Sequence, residues 1–297
     1  MEALERFATW LKLDGELLPY GVLFALFAVL SAIETVHPPF EQAPERQRRW
    51  PANIGLGLVN VFLPPWLPIS IFWAAEWAHD NHVGVLNAVS WPDWISVLCS
   101  VALINLTDYV IHVLLHKVPL FWRLHRVHHL DTHLDVSTAV RSHPGELVLV
   151  LLITLPVVIA LGITPWVLVL YKLAEAVMSA LTHANMRLPR HVDRVLVTPN
   201  MHAIHHSSYQ PETDSNYSSV FPVWDRLFGT HTRMPKRGYD RMQVGLKEVR
   251  DARASDLWWQ ITSPMHRTLR HSGMGNDHLW AKTQVSANDP AASEGRT

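Results

Sequence analysis

Nine histidines stand at spacings that suit a metal centre. His112 and His116 lie four residues apart, His125, His128 and His129 follow, His183 stands alone, and His202, His205 and His206 repeat the H-x-x-H-H spacing. On a helix, positions i, i+3 and i+4 share a face, so each group aims its imidazoles toward one point. Imidazole suits iron, copper, nickel and zinc, and this set offers several ligands to each of two ions. A lone histidine at a helix end is usually incidental. Two copies of H-x-x-H-H plus one H-x-x-x-H, all at the same ends of apolar segments, are far more specific.

Composition supports this reading. There are 19 histidines and one cysteine in 297 residues. Cys99 alone builds no intrachain disulfide, zinc ribbon or cysteine-held iron–sulfur cluster. The net charge of −1 points to no nucleic-acid partner. No Gly-rich dinucleotide fingerprint or haem domain is visible, so electrons for redox chemistry must come from outside.

The elements that position the histidines are apolar. Apolar residues make up 48% of the chain and are gathered into blocks. The first, about 18–35, is near the roughly 20 residues that a spanning helix needs. A basic loop with Arg46, Arg48 and Arg49 follows. The second block, about 54–77, contains Pro64, Pro65 and Pro68, which predict a kinked or broken helix. The third, about 94–115, carries Asn105, Asp108 and the first two histidines. The fourth, about 147–181, is punctuated by Gly162-Ile163-Thr164-Pro165 and reads as two helices, either two crossings or a hairpin. Trp50, Trp77, Trp91 and Trp94 fall near proposed helix ends, as an interfacial belt requires. The positive-inside rule places the histidines in the cytoplasm. The start shows acids and no apolar core, so no cleavable signal is expected.

The expected fold is therefore all-α: an integral membrane helical bundle with a cytoplasmic histidine-rich helical cap. It divides into N-terminal transmembrane helices (1–89), a catalytic region (90–235) and a polar C-terminal segment (236–297). That segment holds an amphipathic surface helix near 257–269 and ends in a disordered VSANDPAASEGRT.

At the histidines the sequence resembles the fatty acid hydroxylase superfamily, the group that includes the sterol desaturases. The pieces occur in the family's order: D-x-x-x-H-x-x-x-H from Asp108 to His116, H-R-V-H-H from His125 to His129, and R-S-H-P-G-E from Arg141 to Glu146. Then come H-A-N from His183 to Asn185, T-P-N-M-H-A-I-H-H from Thr198 to His206, N-Y at Asn216 and Tyr217, and V-W-D-R-L-F-G-T from Val223 to Thr230. The resemblance implies a membrane-bound non-haem di-iron enzyme that uses O2 to hydroxylate or desaturate a sterol-like, fatty acyl or related lipid. Zinc is expected as a replacement in the isolated protein. The electron donor would be a ferredoxin, a cytochrome b5-like protein or a reductase. The alternatives are an alkyl ether lipid monooxygenase and a non-catalytic membrane metal-binding protein. Two departures stand out. Ser218 follows Tyr217 where the family often has Gly. Arg187 lies where some members supply a second histidine after the one matching His183, so water, Asn185 or another histidine completes the set.

Supporting roles follow from spacing. Asp108, one turn before His112, is expected to accept from that ring, and Glu175, two turns before His183, to act similarly there. His143 is either an extra ligand or, preferably, a structural partner of Glu146. His133 reads as a loop residue, and His37, His79 and His82 as non-ligands. Trp224, Asp225 and Arg226 read as a structural turn in which Asp225 pairs with an arginine. Arg123, Arg126 and Arg141 form a basic face for an acidic electron donor or for anionic headgroups.

Overall fold

The computed structural model describes residues 18–36 and 46–266. The expectations for the N-terminal start, His37, residues 267–269 and the C-terminal end fall outside these residues. Among the described residues the chain is helical and contains no strand, only the isolated antiparallel bridge Ser207–Val244.

Helix α1 is Leu18–Val36 and α2 is Arg46–Phe62. The prolines then act as expected. Pro64–Trp66 forms one 3-10 turn, and the helix restarts as α3, Ile71–Asp80, capped by the Ser70 hydroxyl accepting from Trp73 N–H. Helices α4 (Asp93–Lys117), α6 (Pro144–Leu161) and α7 (Pro165–His183) are each long and apolar enough to cross a membrane. Gly162 ends α6 at φ 68°, and Pro165 opens α7 at a position where its missing N–H costs nothing. Each half of the fourth apolar block is thus a candidate crossing in its own right. Gly84 packs against this corner so closely that a Cβ there would run into the Gly162 backbone.

Ile104, Val158, Ile163, Leu168 and Tyr171 form the core between α4, α6 and α7, while Leu30 of α1 packs on Ala180 of α7. Helix α4 stops at Val118 because Pro119 opens α5, Pro119–His129. That turn folds the first histidine pair over the second group. Helix α8 is Pro199–His205.

Behind α5 lies a buried polar network. Arg49 of α2 pairs with Asp131 and, at 2.9 Å, with Asp135. Asn53 and Thr138 both donate to Asp131, at 2.9 and 2.8 Å. Burial works to raise the Asp131 carboxyl, but Arg49 and Arg141 hold it well below the usual range. Arg141 donates to Val127 O, to Asn53 Oδ1 and to Ala254 O. Arg126 donates to the carbonyls of Ser263 and His266. Arg126 and Arg141 are therefore buried with internal carbonyls as partners, which removes both from the expected basic docking face. The polar segment up to His266 is a packed part of the same unit. Gly245 N–H donates to His206 O at 3.0 Å, and Leu257–Thr262 forms a short helix, α9, before the 3-10 turn Ser263–Met265.

Candidate metal centre

Four helix ends bring the nine histidines together. The last turns of α4 present His112 and His116, α5 presents His125, His128 and His129, the end of α7 presents His183, and α8 presents the rest. The Thr198 hydroxyl accepts from Met201 N–H and starts α8 just before its histidines. The rings sort into two groups. One is His112, His116, His125, His129 and His205; the other is His128, His183, His202 and His206, and within each the ligand atoms lie within 4.8 Å of one another. Each H-x-x-H-H copy is split. Its i, i+4 pair goes to one group and its i+3 ring to the other, so the two copies exchange single rings. The groups abut, with His129 and His206 stacked at 4.5 Å between ring centroids.

Tautomers follow from partners that only accept. His112 Nδ1 faces Tyr217 O at 2.6 Å, and His125 Nδ1 faces Glu146 Oε1 at 2.8 Å. His128 Nδ1 faces Arg141 O at 3.0 Å, His183 Nδ1 faces Ser179 O at 2.8 Å, and His205 Nδ1 faces Ser215 O at 2.8 Å. Each Nδ1 therefore carries the proton and each Nε2 carries a bare lone pair. Yet His112 and His125 bring their Nε2 atoms to 3.1 Å, and His128 and His183 do the same at 3.1 Å. Facing lone pairs at that range repel unless a cation lies against both. Metal–nitrogen bonds of about 2.0–2.1 Å set neighbouring ligand nitrogens about 3.0–3.4 Å apart, which is the spacing seen. His205 Nε2 is buried without any hydrogen-bond partner. Burial first, then the neighbouring rings, hold His128, His129, His202 and His206 well below their ordinary pKa. Burial pushes His205 down to about 3. These rings are neutral at physiological pH, the state in which imidazole binds a metal. The site fits a metal ion.

The proposed supporting residues sit differently. Lys172 Nζ donates to both oxygens of Asp108, each at 3.1 Å, and to Glu175 Oε2 at 2.7 Å. Asp108 thus serves Lys172 rather than His112, and Glu175 serves Lys172 rather than His183. A buried ammonium within a span demands both carboxylates, and backbone carbonyls already hold the two rings. Asn185 donates its backbone N–H to Glu34 at 2.8 Å and belongs to neither group. His143 caps α6, accepting from Gly145 N–H and donating to Ile261 O; its role is structural, but its partner is not Glu146. Asp225 accepts from Tyr217 N–H, Ser218 N–H and the Thr230 hydroxyl, not from an arginine. His79, His82 and His133 lie outside both groups. Glu146, which pins His125, was the ligand partner that spacing missed. The other orienting groups are backbone carbonyls, which leave no trace in a sequence.

A cavity of about 890 Å³ opens against this centre, lined by Leu23, Phe72, Trp73, Leu147 and Leu151 and ending at His112, His183 and His202. Its size and apolar wall suit a lipid-sized ligand.

The family model for fatty acid hydroxylase matches residues 97–230. That stretch is similar to a fatty acid hydroxylase domain. All nine histidines, Glu146, Lys172 and the two carboxylates on Lys172 fall inside it. The chain is 29% identical over 157 residues to an ornithine lipid hydroxylase of Rhizobium tropici, covering 49% of this chain and 44% of that protein. It is 26% identical over 142 residues to an alkylglycerol monooxygenase of Danio rerio, covering 48% and 30%. A cholesterol 25-hydroxylase-like protein of Danio rerio is 28% identical over 222 residues, 72% of this chain and 84% of that protein. The chain spans less than half the length of the first two of these relatives. No solved structure matches it significantly.

Proposed function

We propose that the chain is a membrane-bound di-iron oxidoreductase that uses O2 to hydroxylate or desaturate a lipid C–H bond. The carrying observation is the pair of histidine groups whose bare Nε2 atoms converge at the end of a lipid-sized cavity. The lipid substrate class rests on the relatives, an ornithine lipid hydroxylase, an alkylglycerol monooxygenase and a cholesterol 25-hydroxylase-like protein. Iron rests on the all-imidazole donor set and the family; an isolated protein carrying zinc would hold it at the same atoms. When bound, iron supplies the activation of O2. For hydroxylation, one O2, two electrons, two protons and R–H give R–OH and water. The chain's own residues do the rest. Carbonyls of Tyr217, Arg141, Ser179 and Ser215 fix the ring tautomers, and Glu146 holds His125. The cavity presents the C–H bond.

The two electrons come from an external ferredoxin, cytochrome b5-like protein or reductase on the cytoplasmic side, a reading that the basic loops support. The alkylglycerol monooxygenase match favours ether-lipid oxidation as a second reading.

Metal content of the purified, detergent-solubilised chain tests the proposal. About two irons per chain, lost in His128→Ala, is the expected result. A parent chain that binds neither iron nor zinc overturns it.

A further inference from the structure

The wall of the cavity is not uniformly apolar. Lys172 and Glu175 line it one helical turn apart on α7, and Asp108 stands behind them on α4. The Asp108 position is four residues, about 6 Å, along α4 from His112. Ionisable groups inside a span are costly and commonly mark a substrate path. Here the arithmetic of donors is informative. The ammonium has three N–H bonds, and two go to Asp108 and one to Glu175 Oε2. A carboxylate has about four acceptor sites, and the Glu175 side chain is 28% exposed against 9% for Asp108. Two carboxylates share one ammonium, so the cavity wall offers acceptors and no spare charged donor.

We propose that Glu175, held in place by Lys172, is a specificity-determining residue that receives a hydrogen-bond-donating polar group, a hydroxyl or an amine, on the lipid that fills this cavity. Free fatty carboxylates are disfavoured, because they bring a further negative group beside Glu175 to a wall without a free cation. The inference deepens the oxygenase reading and rests on it for the word substrate, but not for binding.

Binding is therefore measured without added metal, on the full chain in nanodiscs, with radiolabelled hexadecanol, hexadecylamine and hexadecanoate scored against empty nanodiscs. The parent should hold the alcohol and the amine at least tenfold more tightly than the acid. Glu175→Gln, which keeps an acceptor for Lys172, should retain the alcohol within about twofold and lose the amine about tenfold; Glu175→Leu should lose both. Equal binding of the three probes by the parent, or an unchanged ranking in Glu175→Gln, overturns the proposal. If Glu175→Leu fails to fold, the Glu175→Gln ranking alone decides. A chain that shows the ranking but holds no metal sinks the oxygenase reading and leaves this one standing; a metal-bearing chain without the ranking does the reverse.

Discussion

Helices α4 and α7 each carry two kinds of polar residue, and the two kinds solve opposite problems. At the helix ends, His112 and His183 present bare nitrogens to other bare nitrogens, 3.1 Å from His125 and from His128. About one turn further in along α4, Asp108 meets Lys172, whose ammonium already stands between two carboxylates. The histidine end is electrostatically incomplete and calls for an ion from outside. The interior triad is complete in cations and calls for none. What the triad has left over is an acceptor on the cavity wall. A cluster of ionisable groups in a span is therefore not one signal; the count of lone pairs against protons decides whether it wants a metal or a donor.

The largest expected effect breaks the incomplete end. His128→Ala and His205→Ala each remove a ligand from a different group and should abolish metal-dependent lipid oxidation while membrane insertion is retained. Single-turnover assays on membranes with O2 and a reductant check this. Near-parental oxidation by either variant would show that the two groups do not act as one centre.

The second effect breaks the complete one. Lys172→Met leaves Asp108 and Glu175 facing each other without a cation, and losing one partner of a buried pair typically costs about 3–5 kcal/mol. Thermal melting in detergent should fall accordingly. Adding Asp108→Asn and Glu175→Gln to Lys172→Met should return most of the loss. A stable Lys172→Met single variant would show that the triad is not a balanced unit.

The two regions also differ in how far they could be read from residue order. The histidines were legible because their information is local: helical spacing alone gathers each group, and all nine ended in two clusters. Sorting of the i+3 ring into the opposite group needed the angle between α5 and α8, which no spacing contains. The triad was misread for the same reason. Asp108 and Glu175 were matched to histidines on their own helices, whereas for Asp108 the partner is Lys172, 64 residues away. Arg126 and Arg141 read as a surface face because charge in a polar stretch normally is solvated. The fold buried them instead, with carbonyls of 254–266 as partners. The broken second helix and the α6–α7 corner were visible in advance, since proline and glycine act on their own neighbours.

A smaller effect separates ligands from their supports. Glu146 fixes the ring of His125 through its Nδ1, the nitrogen turned away from the facing Nε2 of His112. Glu146→Ala should weaken metal binding about 10–100-fold, the usual cost of losing a ligand's outer partner, without abolishing it. Competition with a chelator of known affinity reads this directly. A loss as complete as that of His128→Ala would mean that Glu146 is itself a ligand.

The smallest effect concerns the histidine that looks like a ligand and is not placed as one. His143 stands three residues before Glu146, at the mouth of α6, with its Nδ1 accepting from Gly145 N–H at 2.9 Å and its Nε2 donating to Ile261 O at 3.0 Å. Both nitrogens are thus committed to the backbone, unlike those of His205, and neither has a lone pair to spare for an ion. Losing such a helix cap typically costs about 0.5–2 kcal/mol. His143→Ala should lower the melting temperature modestly, loosen the contact between α6 and α9, and leave the metal count unchanged. His143→Asn, whose side chain caps helices well, should recover most of the stability. The histidine end and the cap differ by one criterion, a free lone pair. A His143→Ala protein that loses metal would show that the criterion fails.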